Sequence, residues 1–148
     1  MPNYCQNQAT FIHADKEKVD ALFNEFQKLI DSGNKDGSPF QLLYPLPKDQ
    51  EANWYEWRIA NWGTKWDVMD AWDLERGDDN TFSVSFHTAW SPPIEWYEEV
   101  ERQDWVVDVI YFEAGMGFAG EYTEGCKETI EVSNIMYRVI NAGFVNVA

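Results

Sequence analysis

The alternation of apolar and polar residues predicts a domain that begins with a strand and a helix. Residues 3–13 are rich in β-branched and aromatic side chains, as is typical of a strand. Asp15 follows at a position suited to a helix N-cap. Apolar side chains then recur at three- and four-residue spacing, which predicts a helix over residues 15–31 that ends at Gly33. The apolar face of this helix consists of Val19, Leu22, Phe23, Phe26, Leu29 and Ile30.

The next segment interrupts this regular pattern and is rich in aromatic residues. Residues 32–50 contain two glycines and three prolines, which predicts a loop. Residues 51–62, EANWYEWRIANW, place large apolar side chains at helical spacing, so we expect a short helix there. Gly63 is suited to the end of that helix because glycine adopts the left-handed conformation without steric cost. We therefore predict an aromatic insert over residues 32–66.

A hairpin and a second long helix are predicted in the middle of the chain. Residues 66–75 and 81–88 flank the turn-forming sequence RGDDN, and the second segment alternates between apolar and polar residues. Ser91 is followed by two prolines and is a candidate N-cap for a helix over residues 92–103. The remaining predicted elements are a strand over residues 105–114 and a hairpin over residues 116–133 that turns at Gly125.

The order of these elements predicts the fold. It is β-α-β-β-α-β, with the insert after the first helix and a hairpin added at the end, and this is the order of a split βαβ unit. We therefore expect a ferredoxin-like α+β sandwich in which residues 3–13 pair with neighbours from 67–75, 80–88 and 105–113. All 148 residues are predicted to form one domain without internal repeats. The last fifteen residues are apolar and receive no assignment.

Composition and charge limit the kinds of partner. With 8 Trp, 7 Tyr and 9 Phe, the chain is too rich in aromatic residues for a disordered protein. The net charge is −15, and residues 67–148 hold 17 acids against 4 Lys and Arg. Direct nucleic-acid binding and binding to an anionic membrane are therefore not expected, whereas a basic protein surface is an expected partner. No sequence feature predicts the oligomeric state.

The thiols and the lack of long apolar runs predict a cytoplasmic protein. No apolar run approaches the roughly 18 residues that a membrane helix requires, and no signal peptide is recognised. We expect Cys5 and Cys126 to be free thiols, since stable disulfides are rare in the cytoplasm. These cysteines are too far from His13 and His87 in sequence for a zinc signature, and no metal or other cofactor is predicted.

Four segments resemble one known family. They are MPNYCQN, NWGTKWD, FHTAWSPP and GMGFAGEY. Their sequences and order resemble the YubB-like family of small ferredoxin-fold proteins from bacterial plasmids and phages, although Tyr4 stands where tryptophan is expected. The resemblance runs nearly end to end. It implies a ferredoxin-like sheet and a mobile-element origin, and it implies no activity.

Motifs for enzymatic chemistry are weak. GMGFAG at residues 115–120 fits the pattern G-x-G-x-x-G, but strand-like residues follow it and no acid stands about 20 residues further on. A dinucleotide site is therefore not predicted. His87 with Thr88 or Ser91 as nucleophile is the remaining candidate for a hydrolase, and an enzyme is the third hypothesis after two binding functions.

The first hypothesis is a non-enzymatic binding protein of a mobile element that engages a basic protein surface. Acidic residues at phosphate-like spacing would make it a nucleic-acid mimic with an anti-defence role. The alternative explanation for these acids is a solvated face that serves only solubility. The acids concerned form two runs, which are Glu98, Glu99, Glu101, Asp104 and Asp108 in and after the predicted helix, and Asp67, Asp70, Asp73, Asp78 and Asp79 around the predicted hairpin.

The second hypothesis is a small-ligand or nucleotide-binding domain built on NWGTKWD. Aromatic walls with a few polar groups are typical of such pockets. On the structural alternative, Trp62 and Trp66 are at least partly buried against the sheet and only fix the loop in place. The residues of the predicted pocket are Trp62, Lys65, Trp66, Asp67, His87 and Trp90.

Overall fold

The computed structural model describes residues 4–113, 118–123 and 126–129. These residues form an α+β fold, which confirms the predicted class. The elements are β1 (Tyr4–Ile12), α1 (Lys16–Asp31), α2 (Pro39–Leu43), a 3-10 helix (Lys48–Asn53), α3 (Trp54–Asn61), β2 (Asp70–Asp78), β3 (Thr81–Ala89), α4 (Ile94–Arg102), β4 (Val106–Glu113), β5 (Phe118–Thr123) and β6 (Cys126–Thr129). Among the described residues, no helix is long and apolar enough to cross a membrane.

The described strands form one antiparallel sheet in the order β2-β3-β1-β4-β5-β6. β1 lies between β3 and β4, as expected for the first strand. It does not pair with residues 67–75, however, because β2 lies beyond β3 at the edge of the sheet. The strand predicted over 66–75 begins only at Asp70, since the side chain of Asp67 binds backbone groups of the insert.

The first helix follows its sequence pattern closely. The Asp15 carboxylate accepts a hydrogen bond from the Glu17 backbone N–H at 3.0 Å, which satisfies one of the free donors at the helix start. Val19, Leu22, Phe26 and Leu29 are buried on the face that the spacing predicted. Gly33, with φ +67°, takes the left-handed conformation just after the helix.

An aromatic layer fills the space between the helices and the sheet. The Phe11 ring on β1 contacts the rings of Phe82, Trp96 and Trp105 at centroid distances of 5.2–6.2 Å. Phe40 of the insert lies 4.5 Å from Trp96, measured between ring centroids, and both side chains are fully buried. The insert is therefore part of the core rather than an appendage.

The start of the second long helix differs from the prediction. α4 begins at Ile94, its N-cap residue is Pro93, and no side chain caps it. The Ser91 hydroxyl instead donates to the Gly63 carbonyl at 2.8 Å, which ties the turn before α4 to the end of α3. The prediction that Ser91 caps the helix is therefore wrong, because its hydroxyl is used for a long-range contact.

Several predictions concern the C-terminal part of the chain. β5 and β6 form a hairpin inside the predicted range 116–133. The turn at Gly125, the side chain of Cys126 and the last fifteen residues lie outside what the structure describes. Cys5 is a free and buried thiol, as expected, and burial raises its pKa.

Candidate binding surface

The tryptophans of NWGTKWD have different environments. Trp62 is fully buried, and its indole N–H donates to the Tyr44 carbonyl at 2.9 Å. Its ring also contacts Phe40 at a centroid distance of 5.6 Å. Trp66, in contrast, is 38% exposed. Trp62 therefore belongs to the core, as the structural alternative predicted, and is not part of a ligand pocket.

Asp67 holds the insert against the body of the protein. Its carboxylate accepts hydrogen bonds from the backbone N–H groups of Phe40 at 3.0 Å, Gln41 at 3.0 Å and Val68 at 2.7 Å. Burial raises the pKa of Asp67 to about 6, against the opposing effect of these three bonds and of the Arg58 charge. Asp67 therefore has a structural role, and it does not line a pocket as predicted.

His87 lies on the face of the sheet opposite the helices, away from NWGTKWD. Its Nδ1 is 2.7 Å from the Asp70 carboxylate, and its ring lies between those of Tyr4 and Trp72. Thr88 points to the other face of β3, where its hydroxyl donates to the Ser91 carbonyl at 2.7 Å. The predicted nucleophiles therefore do not face His87, and the structure does not bring a hydrolase site together.

A cleft beside α3 contains two of the three remaining members of the predicted pocket, and Trp66 does not line it. Lys65 and Trp90 line it together with Tyr55 and Ile59, and Ala89 and Ser91 complete its floor. Its volume is about 290 Å³. We call it the α3 cleft. It is open to solvent, since Tyr55, Ile59 and Trp90 are all exposed.

Trp90 has an unusual backbone conformation at the rim of this cleft. Its φ is +72°, in the left-handed region that a bulky residue rarely adopts. Hydrogen bonds on both sides hold it there: the Ala89 carbonyl accepts from Ser91 N–H at 2.8 Å and from the Thr64 hydroxyl at 2.9 Å. The indole is 46% exposed, so burial does not offset the backbone strain.

Two cations lie against aromatic rings beside the cleft. Lys65 Nζ is 4.3 Å from the centroid of the Trp66 ring, and among the described residues no carboxylate lies within 4.0 Å of it. The Arg58 guanidinium lies 5.2 Å from the Trp54 ring and 4.9 Å from the Trp62 ring. Each of these contacts places a positive charge against an aromatic ring on this side of the insert.

Exposed apolar side chains are concentrated around the cleft. The ring of Trp54 contacts that of Tyr55, which lines the cleft, and Lys65 links the cleft to Trp66. Of the nine large hydrophobic residues exposed in the described part of the chain, five lie here. We call this patch the aromatic surface. Its members are Trp54, Tyr55, Ile59, Trp66 and Trp90.

The number of aromatic residues in α3 is a sequence signal for this surface, and helical spacing alone does not reveal it. α3 has apolar side chains on several sides, and a single short helix can bury only one face. Tyr55, Ile59 and Trp62 follow one another at helical spacing, but only Trp62 is buried. When a short helix has more aromatic residues than one face can bury, some of these residues must be exposed.

The predicted acids of α4 are in three different situations. Glu98 is exposed and lines a small groove of about 130 Å³ next to α3, together with Glu95. Glu99 pairs with Arg102 at 3.0 Å and accepts from Gln103 at 3.1 Å. Glu101 lies beside Tyr122 of β5, whose pKa is raised by burial and further by the Glu101 charge. Only part of this run therefore faces outward beside the aromatic surface.

The two acidic runs lie apart in the fold. Apart from Asp67, the acids around the hairpin lie on β2 and its turn, at one edge of the sheet. α4 packs against β4, and Glu101 reaches β5. β2 and β5 are four strand spacings apart, which is roughly 19 Å. The order of the strands separates the two groups.

Comparisons with known proteins concern the fold. No protein-family model matches the chain, and no curated protein matches it. Its structure is similar to the crystal structure of a protein api92 from Yersinia pseudotuberculosis, described with the family model DUF1281. The TM-score is 0.59 at 10% identity, and the match covers 88% of this chain and 98% of that one. At this identity the similarity establishes a shared fold.

Proposed function

We propose that the chain is a non-enzymatic binding protein that engages a basic protein partner through the aromatic surface and the neighbouring acids of α4. The observation that carries the proposal is the concentration of exposed Trp, Tyr and Ile side chains around α3. Contiguous exposed apolar patches with polar rims mark interaction sites. Trp and Tyr are also the residue types that most often dominate the binding energy of an interface.

The charge around this surface supports a basic partner. Glu95 and Glu98 lie on the α4 side of α3, and the whole chain carries a net charge of −15. A basic protein would be attracted over distances of about a Debye length, which accelerates encounter. The aromatic side chains would then provide most of the short-range stabilisation.

The proposed fold family and origin rest on further observations. The element order from β1 to β4 and the position of β1 between β3 and β4 support a ferredoxin-like unit. β5 and β6 extend the sheet beyond four strands. The four motifs that resemble YubB-like proteins support a cytoplasmic protein of a plasmid or phage. An anti-defence role fits that origin, with contact through the aromatic surface rather than through a duplex-like row of acids.

Replacing Ile59 by Glu is expected to abolish partner capture while leaving the fold intact. Ile59 is 42% exposed and lines the α3 cleft, and a carboxylate there would be desolvated on binding. The immobilised protein is exposed to a bacterial lysate, and each captured protein is quantified. For a central interface residue we expect a loss of about 30-fold, equivalent to about 2 kcal/mol.

Val106→Glu is the matched control, because Val106 is also apolar and is 47% exposed, but on β4. It should capture the partner as wild type does. Equal capture by wild type and Ile59→Glu would disprove the proposed surface.

Reversing Glu95 and Glu98 to Lys should slow association at low salt and have little effect at 1 M salt, where the screening length is about 3 Å.

A further inference from the structure

We infer that the α3 cleft binds a small aromatic molecule that carries an acidic group, with Lys65 as the counter-charge. This inference goes beyond the proposed protein partner, because it assigns a separate ligand to the cleft inside the aromatic surface. The inference rests on the cleft, on a cation with no ion-pair partner among the described residues, and on the strained backbone of Trp90 at the rim.

Lys65 supplies the argument for an acidic group. It is half-buried beside the cleft, and within the described ranges no carboxylate lies within the 4.0 Å of an ion pair. The chain has 26 acids for 11 Lys and Arg, so such a position for a half-buried ammonium group is unexpected. Arg58, which donates to the Lys65 carbonyl at 3.3 Å, adds a second positive charge nearby. A carboxylate entering the cleft would gain a charge-assisted hydrogen bond.

The walls supply the argument for an aromatic ring. Tyr55, Ile59 and Trp90 present flat or apolar surfaces to the cleft while remaining exposed to water. The left-handed backbone at Trp90 is maintained by hydrogen bonds to its neighbours and keeps the indole at the rim. Strain of this kind persists where the surrounding structure enforces it, and it is concentrated at binding and active sites.

The volume limits the size of the ligand. A cleft of about 290 Å³ is at the lower end of small-molecule sites. It accommodates one or two fused rings with a small polar group, and it is too small for a dinucleotide. The ligand class is therefore an aromatic carboxylate or a compound of similar size with one negative charge.

Binding of 2-naphthoate tests this inference directly, with 2-naphthamide as its neutral isostere. Both are titrated into the protein, and the indole N–H signals are followed by NMR. For ligands of this size we expect a dissociation constant for naphthoate on the order of 1 mM. Lys65→Gln should weaken naphthoate binding about 10-fold. It should change naphthamide binding less than about twofold, because only the charged probe uses the ammonium group.

Trp90→Gly provides the second variant. Glycine adopts the left-handed conformation without strain, so the melting temperature should stay equal or rise, while both probes lose binding. Absence of naphthoate binding to wild type, or equal affinity in wild type and Lys65→Gln, would overturn the inference. Lysate capture that still depends on Ile59 would then leave the protein-binding function intact. If naphthoate binds but lysate capture does not depend on Ile59, the ligand site stands and the proposed protein-binding surface fails.

Discussion

Trp62→Ala is expected to lower the free energy of unfolding by about 3–5 kcal/mol, whereas Trp66→Ala should lower it by about 1 kcal/mol or less. The two residues are four positions apart in NWGTKWD. Trp62 is fully buried against Phe40 and Trp57 and donates a hydrogen bond to the Tyr44 carbonyl. Its truncation would therefore leave a cavity and an unsatisfied carbonyl.

Urea or guanidinium denaturation of both variants beside wild type measures the difference. A fixed slope of unfolding free energy against denaturant in all three proteins shows that the unfolded states are comparable. Similar losses for Trp62→Ala and Trp66→Ala would contradict the assignment of one tryptophan to the core and the other to the surface. The contact of Trp66 with Lys65 contributes little to the free energy of unfolding, because both side chains are partly exposed.

The stability of wild type relative to Asp67→Asn should increase as the pH falls from 7 to 4. Burial raises the pKa of Asp67 from 3.8 to about 6 on folding. The folded protein therefore binds more protons than the unfolded chain between these two pKa values, and stability rises as pH falls through this window. Between pH 7 and pH 4, the free energy of unfolding of wild type should rise by about 2–3 kcal/mol relative to that of Asp67→Asn.

Asp67→Asn is the matched comparison because it cannot titrate. Its single acceptor oxygen replaces two that serve three backbone N–H groups, so it should be less stable than wild type at any of these pH values. The other acids titrate in both proteins, so their contribution cancels in the difference between the two free energies of unfolding. A constant difference from pH 7 to pH 4, or a carboxyl titration of Asp67 near its ordinary pKa, would refute the expectation.

The elements with strong local periodicity could be predicted from the sequence. α1 was predictable because its apolar positions repeat every three or four residues and Asp15 caps its start. β3 was predictable because Phe82, Val84 and Phe86 alternate with polar residues on the opposite face of the sheet. In both cases the pattern reflects one buried face, which depends only on neighbours in the chain.

The positions of the candidate site residues depend on contacts that local patterns do not contain. Asp67 binds Phe40 and Gln41, which are 27 and 26 residues away, and no spacing rule indicates this. Ser91 was suited to a helix cap by its sequence, but it bonds Gly63, 28 residues away. Side chains alternate between the two faces of β3, and His87 points to the face without helices. It therefore lies apart from the other residues of the predicted pocket.

The relative positions of the two acidic runs also depend on contacts outside local patterns. Charge per segment gives the number of acids, but the order of strands determines which of them are neighbours. β2 follows the insert and joins the sheet at its edge, while α4 packs against β4. The chain therefore places its two acidic runs on different sides, and the exposed aromatic residues of the insert become the better candidate for a contact surface.

Site-specific photocrosslinking tests most directly whether the aromatic surface binds the partner. A benzophenone amino acid replaces Tyr55 in one protein and Tyr4 in another, since these tyrosines are 50% and 45% exposed. Tyr55 lines the α3 cleft, and Tyr4 lies on the opposite sheet face beside His87. We expect illumination in lysate to link the Tyr55 variant to one specific protein and to leave the Tyr4 variant without that product. Crosslinking of the same protein from Tyr4 alone, or equally from both positions, would contradict the proposed surface.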